Sequence, residues 1–346
     1  MKQWKDFLLT DIFKPIRGNQ KNMAALKSGN IPLVSARKFD NGYKDFVLCN
    51  SKDVFDGDCI TINNDGNGGA GLAYYQPSKM AVDTHVTVLK PKENISKAAM
   101  LFLVECLNKQ ADLFSHARSL SNDRIEVYRF MLPVTSDGTP DYDYMETYIT
   151  ILQATQYQKG TTYFKNKKDS LKYKKIKPLA EINWKAIPLN EIFKIYSGKR
   201  LEKYNMVAGT RPFIGSTDSN NGITNFVSNE NESIDKNVLG VNYNGSVVEN
   251  FYHPYECIFS DDVKRLHLIN HEDNPFVLLF FKTIILQQKK KYMYAYKFNE
   301  GRMKRQYIVV PVKDDDTPDY DYMEQYIKNL IIAKCEAYLN FKHIKR

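Results

Sequence analysis

The eleven residues TPDYDYMETYI at 139–149 return as TPDYDYMEQYI at 317–327, identical at ten positions. Self-similarity of that kind inside one chain marks a duplicated unit. The register extends in both directions, at an offset of 180 that falls to 178. Trp4-Lys5 matches Trp184-Lys185, Ile12-Phe13 matches Ile192-Phe193, and Gly18 matches Gly198. Asn41-Gly42 matches Asn221-Gly222, Phe46-Val47 matches Phe226-Val227, and Pro133-Val134 matches Pro311-Val312. The fold therefore has to be one that can be built twice in tandem, and 346 residues suffice for two ordinary domain cores.

Each copy reads in the same order: short alternating strand-like runs, an apolar helix, a turn, then a long polar-faced helix. The strand runs include Cys59–Asn63 and Ala81–Leu89 in the first copy, with Asn237–Tyr243 and Glu256–Leu268 in the second. The apolar helices are Ala98–Asn108 and Phe276–Gln287. Before each long helix, Thr139 or Thr317 is the expected capping side chain, with a proline in the first turn and acids at the positive helix end. Met145, Ile149 and Leu152 form one apolar stripe; Met323, Ile327, Leu330, Ala337 and Phe341 form the other, and the simplest cover for each is the other helix. Gly160 is expected to weaken the first long helix, and the lysine-dense stretch 165–177 leads to Pro178 and the second copy. The expected class is α+β, with boundaries at 1–140, a long helix and linker at 141–180, a second strand-rich domain at 181–318 and a last helix at 319–346.

Lysine and arginine outnumber acids by 49 to 40 at a pI near 9.0, which favours a polyanionic partner. Five well-separated cysteines, without a Cys-x-x-Cys pair, point to reduced thiols and not to zinc or a disulfide framework. The chain opens without an apolar signal region, and its longest apolar stretch, Phe276–Leu286, is too short to span a bilayer, so a cytoplasmic location is expected.

Enzymatic signatures are weak. Gly66-Asn-Gly-Gly-Ala-Gly71 satisfies Gly-x-Gly-x-x-Gly, but a strand-like run with Pro77 follows it where a dinucleotide site requires a helix. Adenine methylation calls for an Asn/Asp-Pro-Pro-aromatic element, and the chain contains no Pro-Pro. Asp141 with Glu146, and Asp319 with Glu324, superficially suit magnesium, yet helix capping explains them better. His85, His253 and His267 lack metal spacing. A nuclease or methyltransferase with an unfamiliar site, or a protein-binding regulator, stand as alternatives to a protein that binds a polyanion without chemistry of its own.

A duplicated strand-rich unit opening in Trp-Lys and Ile-Phe-Lys, carrying Gly18 or Gly198 and closing in Pro-Val and a long helix, resembles the specificity subunits of Type I restriction-modification systems. The compact size and the Thr-Pro-Asp-Tyr-Asp-Tyr-Met-Glu motif are also similar to the specificity subunits of Type IIB systems of the BcgI kind. The resemblance covers essentially the whole chain. It implies two target recognition domains reading the halves of a split site in double-stranded DNA. It also implies a spacer of two antiparallel helices with pseudo-twofold symmetry and no catalysis in this chain. Two modification subunits, or fused restriction-modification subunits, would supply S-adenosylmethionine-dependent adenine methylation and the magnesium-dependent step. Two like surfaces suit two copies of one partner. A helix of about 25 to 30 residues spans roughly 40 to 45 Å, about one turn of B-DNA or slightly more.

Bases are read by Arg or Lys at guanine, Asn or Gln at adenine and acids at cytosine, which directs attention to polar loops. The first copy offers Arg37, Lys38, Asn63, Asn64, Asn67, Arg118, Ser121, Asn122 and Arg124. The second offers Lys199, Arg200, Ser216, Thr217, Asn242, Asn244, Ser246, Lys297, Asn299, Arg302 and Lys304. Arg124 and Arg302 match between copies, which suits phosphate contact or bracing more than base reading. Tyr142, Tyr144, Tyr320 and Tyr322, at the starts of the long helices, are candidates for contact with a partner subunit.

Overall fold

The structure is a computed structural model and describes residues 2–65, 69–115, 117–292 and 296–343. The chain divides into two compact units, Met1–Gly160 and Thr161–Arg346.

In the first unit the order is β1 (Trp4–Leu8), α1 (Leu9–Ile12), β2 (Phe13–Arg17), β3 (Ser28–Val34), β4 (Tyr43–Val47), β5 (Cys59–Asn63) and β6 (Ala73–Gln76). There follow β7 (Ala81–Val82), β8 (Val86–Pro91), α2 (Lys97–Asn108), α3 (Asn122–Glu126), β9 (Arg129–Pro133) and α4 (Tyr142–Asp169). The strands make an antiparallel sheet β2-β8-β5-β6, a sheet β4-β3-β7 and the pair β1-β9. Strands β5 and β8 are central and buried on both faces, which is why CITIN and VTVL read as continuous apolar or β-branched runs. Helix α2 begins where Ser96 Oγ accepts from Ala99 N at 3.2 Å, and it buries Ala99, Met100, Leu103 and Leu107 in the same core as Ile60, Ile62 and Leu89.

The second unit repeats this order with β10 (Trp184–Pro188), α5 (Leu189–Ile192), β11 (Phe193–Ser197), β12 (Ala208–Ile214), β13 (Ile223–Val227) and β14 (Val238–Asn242). Then come β15 (Asn250–His253), β16 (Ile258–Phe259), β17 (Val263–Leu268), α6 (Pro275–Leu286), α7 (Glu300–Arg305), β18 (Tyr307–Pro311) and α8 (Tyr320–His343). Its sheets are β11-β17-β14-β15, β13-β12-β16 and β10-β18, the same pattern as in the first unit. Gly18 and Gly198 hold equivalent places: an added Cβ would lie 2.0 Å from the Asp83 and Ser260 carbonyl oxygens respectively. The Asn-Gly pairs close the β3–β4 and β12–β13 hairpins, with Asn41 at φ 54° and Asn221 at φ 53°, the left-handed region Asn tolerates.

Three sequence expectations require correction: the capping residues, the place of the prolines and the extent of two strands. The long helices start at Tyr142 and Tyr320, and their caps are Asp141, which accepts from Tyr144 N at 2.9 Å, and Asp319, which accepts from Tyr322 N at 3.0 Å. Thr139 and Thr317 lie earlier, closing turns with Asp137 and Asp315, while Pro140 and Pro318 bridge to Val134 and Val312 outside the helices. Helix α4 runs through Gly160 and on to Asp169, so any weakening there leaves it continuous. A single glycine costs a helix only about 1 kcal/mol, too little to end one held elsewhere. The runs 81–89 and 256–268 are each two strands, because the chain turns at 83–85 and 260–262.

Part of each apolar stripe finds cover within its own unit, while Leu152, Leu330 and Phe341 are exposed. Met145 and Ile149 belong to the first unit's own core, Met323 and Ile327 to the second's. Within the second unit, the tail of α4 and the segment after it run antiparallel to α8. Phe164 packs with its ring 4.1 Å from that of Tyr338 in a tilted contact, Asn329 Nδ2 donates to the Lys174 carbonyl at 2.7 Å, and Tyr322 donates to the Lys177 carbonyl at 2.8 Å. Among the described residues, no helix is long and apolar enough to cross a membrane.

Candidate nucleic-acid interface

The polar loops nominated above lie at one end of each central sheet, where β5 and β14 hand over to their following turns. Asn63 and Asn242 occupy the last positions of those strands and are buried. Asn63 Nδ2 donates to the carbonyls of Arg37 and Gly69, both at 3.0 Å, and Asn242 Nδ2 donates to those of Thr217 and Ser246 at 2.9 and 3.2 Å. Asn64 is also buried; its Nδ2 donates to the Leu120 carbonyl at 2.7 Å and its Oδ1 accepts from Thr87 Oγ1 at 3.0 Å. The expectation that Asn63, Asn64 and Asn242 present amides to bases is therefore corrected. They tie loops to the sheet, as buried polar groups must find partners.

A second matched pair of devices stands beside them. Ser121 Oγ accepts from Arg124 N at 3.4 Å and Asn299 Oδ1 accepts from Arg302 N at 3.0 Å, capping α3 and α7. Arg124 Nη1 then donates to the Ser119 carbonyl, and Arg302 Nη1 to the Lys297 carbonyl at 2.8 Å. Both arginines brace a loop five residues upstream. Arg302 additionally lies 3.8 Å over the Tyr296 ring.

The remaining nominated side chains are more open. Arg37 is exposed and donates to the Tyr43 carbonyl at 2.6 Å and to Asp40 at 3.1 Å. Lys38 is exposed beside Phe39, while Arg118 and Asn122 are exposed on the turn entering α3. In the second unit Lys199 pairs with Glu232 at 2.7 Å, Arg200 with Glu202 at 2.6 Å and Lys304 with Glu300 at 2.8 Å. Thr217 Oγ1 is 3.1 Å from Ser219 Oγ, Asn244 Nδ2 donates to Asp262 at 2.9 Å, and Ser216 Oγ donates to the Asn244 carbonyl. Ser246 and Lys297 are half-buried in the same loops. Asn67 lies outside the described residues, as do Gly66 and Gly68 of the glycine-rich turn.

The tyrosines at the helix starts are occupied within their own units. Tyr142 packs against the first core and Tyr320 against the second, where it also meets His271 at 4.3 Å. Tyr144 lies under the Lys2 ammonium at 5.0 Å, and Tyr322 holds the Lys177 carbonyl.

Sequence reasoning passed over a charged network on β17. Lys264 Nζ donates to Ser197 Oγ at 2.6 Å and to Glu300 at 3.2 Å. Arg265 and His267, two residues apart and hence on one face, converge on Asp235. Hydrogen bonds donated to Asp235 and Asp273 push the His267 imidazole up to about 9. The signal was present but silent: the β2–β8 and β11–β17 registers make Thr87 and Lys264 equivalent, and Val88 with Arg265. Only that alignment reveals charge where the first unit has none.

The family described as the Type I restriction modification DNA specificity domain matches twice, over residues 1–162 and 181–337. The specificity subunit of the BcgI Type II restriction enzyme of Heyndrickxia coagulans is 39% identical over 332 residues, covering 95% of this chain and 94% of the relative. Among solved structures, the S subunit of a Type I restriction-modification system from M. genitalium superposes with a TM-score of 0.58 at 12% identity, covering 99% of this chain and 94% of that one. A likeness at that identity speaks for the fold. Two family matches that together take in most of the chain, and a relative alike along nearly its whole length, settle the membership: the chain belongs to the Type I restriction-modification DNA specificity family, as a specificity subunit with two tandem recognition domains.

Proposed function

We propose that each unit reads one half of a bipartite site in double-stranded DNA, and that the long helices fix the gap between the halves. The observation that carries this reading is the matched framework with unmatched surroundings. The amide ties of Asn63 and Asn242, the caps Ser121 and Asn299, and the bracing Arg124 and Arg302 recur in both units, while the exposed side chains around them differ. A scaffold that repeats while its surface varies suits two reading heads for two different half-sites.

Positive charge supports a polyanionic ligand, and the nominated Arg37, Lys38, Arg118, Lys199, Arg200, Lys297 and Lys304 are the groups to meet phosphates or base edges. The chain recruits two copies of one partner, because two like units offer two like surfaces. That partner brings S-adenosylmethionine and magnesium and carries adenine methylation; this chain contributes no cofactor site. Similarity to the BcgI subunit supports a partner that also cleaves.

Duplex binding by the chain assembled with its modification partner tests this. Affinity should fall linearly on a log-log plot against salt, with a slope near −0.9 for each phosphate neutralised. An assembled complex that binds no duplex at low salt overturns the reading.

A further inference from the structure

On the reading that each unit takes one half-site, we infer that base choice in the two halves is set at equivalent positions of the two units, beside the start of the short helix α3 or α7. In the first unit these positions line a hollow of about 510 Å³, bordered by Arg17, Asn64, Asp65, Ser119, Asn122 and Asp123.

The strand registers identify their counterparts. Arg17 pairs with Thr87 across β2–β8, and Ser197 pairs with Lys264 across β11–β17. Asn63 and Asn242 end the equivalent strands, so Asn64 corresponds to Tyr243 and Asp65 to Asn244. The matched caps Ser121 and Asn299 place Ser119 opposite Lys297 and Asn122 opposite Glu300.

At these positions the chemistry changes every time: guanidinium for hydroxyl, acid for amide, hydroxyl for ammonium, amide for acid. The changes are also coupled. Where the first unit joins Asn64 to Thr87 by a 3.0 Å hydrogen bond, the second sets the Lys264 ammonium 5.3 Å over the Tyr243 ring. Lys264 is then steadied by Ser197 and Glu300 at the places of Arg17 and Asn122. The surrounding frame, by contrast, is kept: Gly18 and Gly198, the paired Asn ties and the paired arginine braces recur around the hollow and around its equivalent positions in the second unit.

A conserved frame around a replaced lining is the arrangement expected where two copies of a module read different bases. In the first unit, Arg17 has its Nε on the Thr84 carbonyl and no ion pair among the described residues; with Asn122 exposed beside it, the hollow offers guanidinium and amide groups suited to purine edges. In the second, Lys297, Glu300 and Tyr243 offer an ammonium, a carboxylate and a phenol.

The test is to co-express Arg17→Ala, Asn122→Ala, Lys297→Ala and Glu300→Gln chains singly with the modification partner and to map methylated adenines in the host DNA. Co-purification of each variant with the partner establishes folding and assembly. Arg17→Ala and Asn122→Ala should relax one or two base positions in one half of the motif, lowering discrimination there by roughly 5- to 150-fold. Lys297→Ala and Glu300→Gln should do the same in the other half, with the gap unchanged in all four. Should a variant fail to assemble, Ser119→Ala replaces it for the first unit and Tyr243→Phe for the second. Motifs that stay unchanged, or that weaken evenly over both halves, overturn the inference. A wild-type map without a split motif instead overturns the half-site reading on which it rests.

Discussion

Asn63 and Asn242 are structural twins: each closes the central strand of its unit, is buried, and gives its amide to two backbone carbonyls of neighbouring loops. Removing either amide takes a buried side chain from the core edge and leaves two backbone carbonyls without those donors. Asn63→Ala and Asn242→Ala should each cost about 1 to 3 kcal/mol, the penalty for stranding buried polar groups. Urea denaturation of the full chain checks this, and curves superimposable on wild type would contradict the bracing role.

The tight approach at Gly18 and Gly198 makes a second expectation. Because a Cβ at either place would meet a backbone carbonyl at 2.0 Å, Gly18→Ala and Gly198→Ala should destabilise by about 1 to 3 kcal/mol or more. Gly301, inside α7 with its nearest neighbour Asn299 Oδ1 at 3.8 Å, has room for a methyl. Gly301→Ala should be neutral or stabilising by up to about 1 kcal/mol. Thermal melts of the three variants that fail to separate in this order would refute the packing argument.

His267 makes the second unit sensitive to alkali. Its imidazole sits 2.9 Å from Asp235 Oδ2 and 2.6 Å from Asp273 Oδ2, and these hydrogen bonds raise it from 6.5 to about 9. A base whose folded value is raised binds more protons folded than unfolded, so its contribution is fully present below pH 6.5. That contribution is lost as pH climbs through about 9. The difference in melting temperature between wild type and His267→Gln should therefore shrink from neutral to alkaline pH. A difference that stays constant would show that the imidazolium is not what holds the two acids.

His253 acts in the opposite direction. Burial lowers it from 6.5 to about 4, and its ring packs 5.3 Å from Phe259, beside Gly240. The unfolded chain takes up this proton first, so wild-type stability should decline as pH falls from 6.5 towards 4. His253→Gln removes that titration, and its stability should vary less over the same range. An equally steep decline in the variant would assign the acid sensitivity elsewhere.

The duplication was fully legible in the sequence, because Thr-Pro-Asp-Tyr-Asp-Tyr-Met-Glu recurs in register with paired glycines and tryptophans along both halves. The apolar helices and the strands β5 and β14 were legible to within a residue or so, whereas β8 and β17 were each read as one run with the short strand before it. What misled was chemistry that serves two purposes. An asparagine in a polar loop reads the same whether it faces a base or clasps a carbonyl, and Asn63, Asn64 and Asn242 do the latter. Thr139 and Asp141 are both good caps, and only the bridge between Val134 and Pro140 settles which one begins the helix. The Lys264, Arg265 and His267 network escaped notice because three polar residues among six in β17 read like those of any half-exposed strand. Its burial follows from Ser197, Asp235, Asp273 and Glu300, which are distant in sequence.

The most direct measurement of the central claim is a methylation map of host DNA in cells expressing this chain with its modification partner. The expected result is a single split motif, two specified halves separated by a constant unspecified gap of the order of one helical turn. A continuous short motif, or a gap that varies from site to site, would contradict two reading units held at a fixed separation.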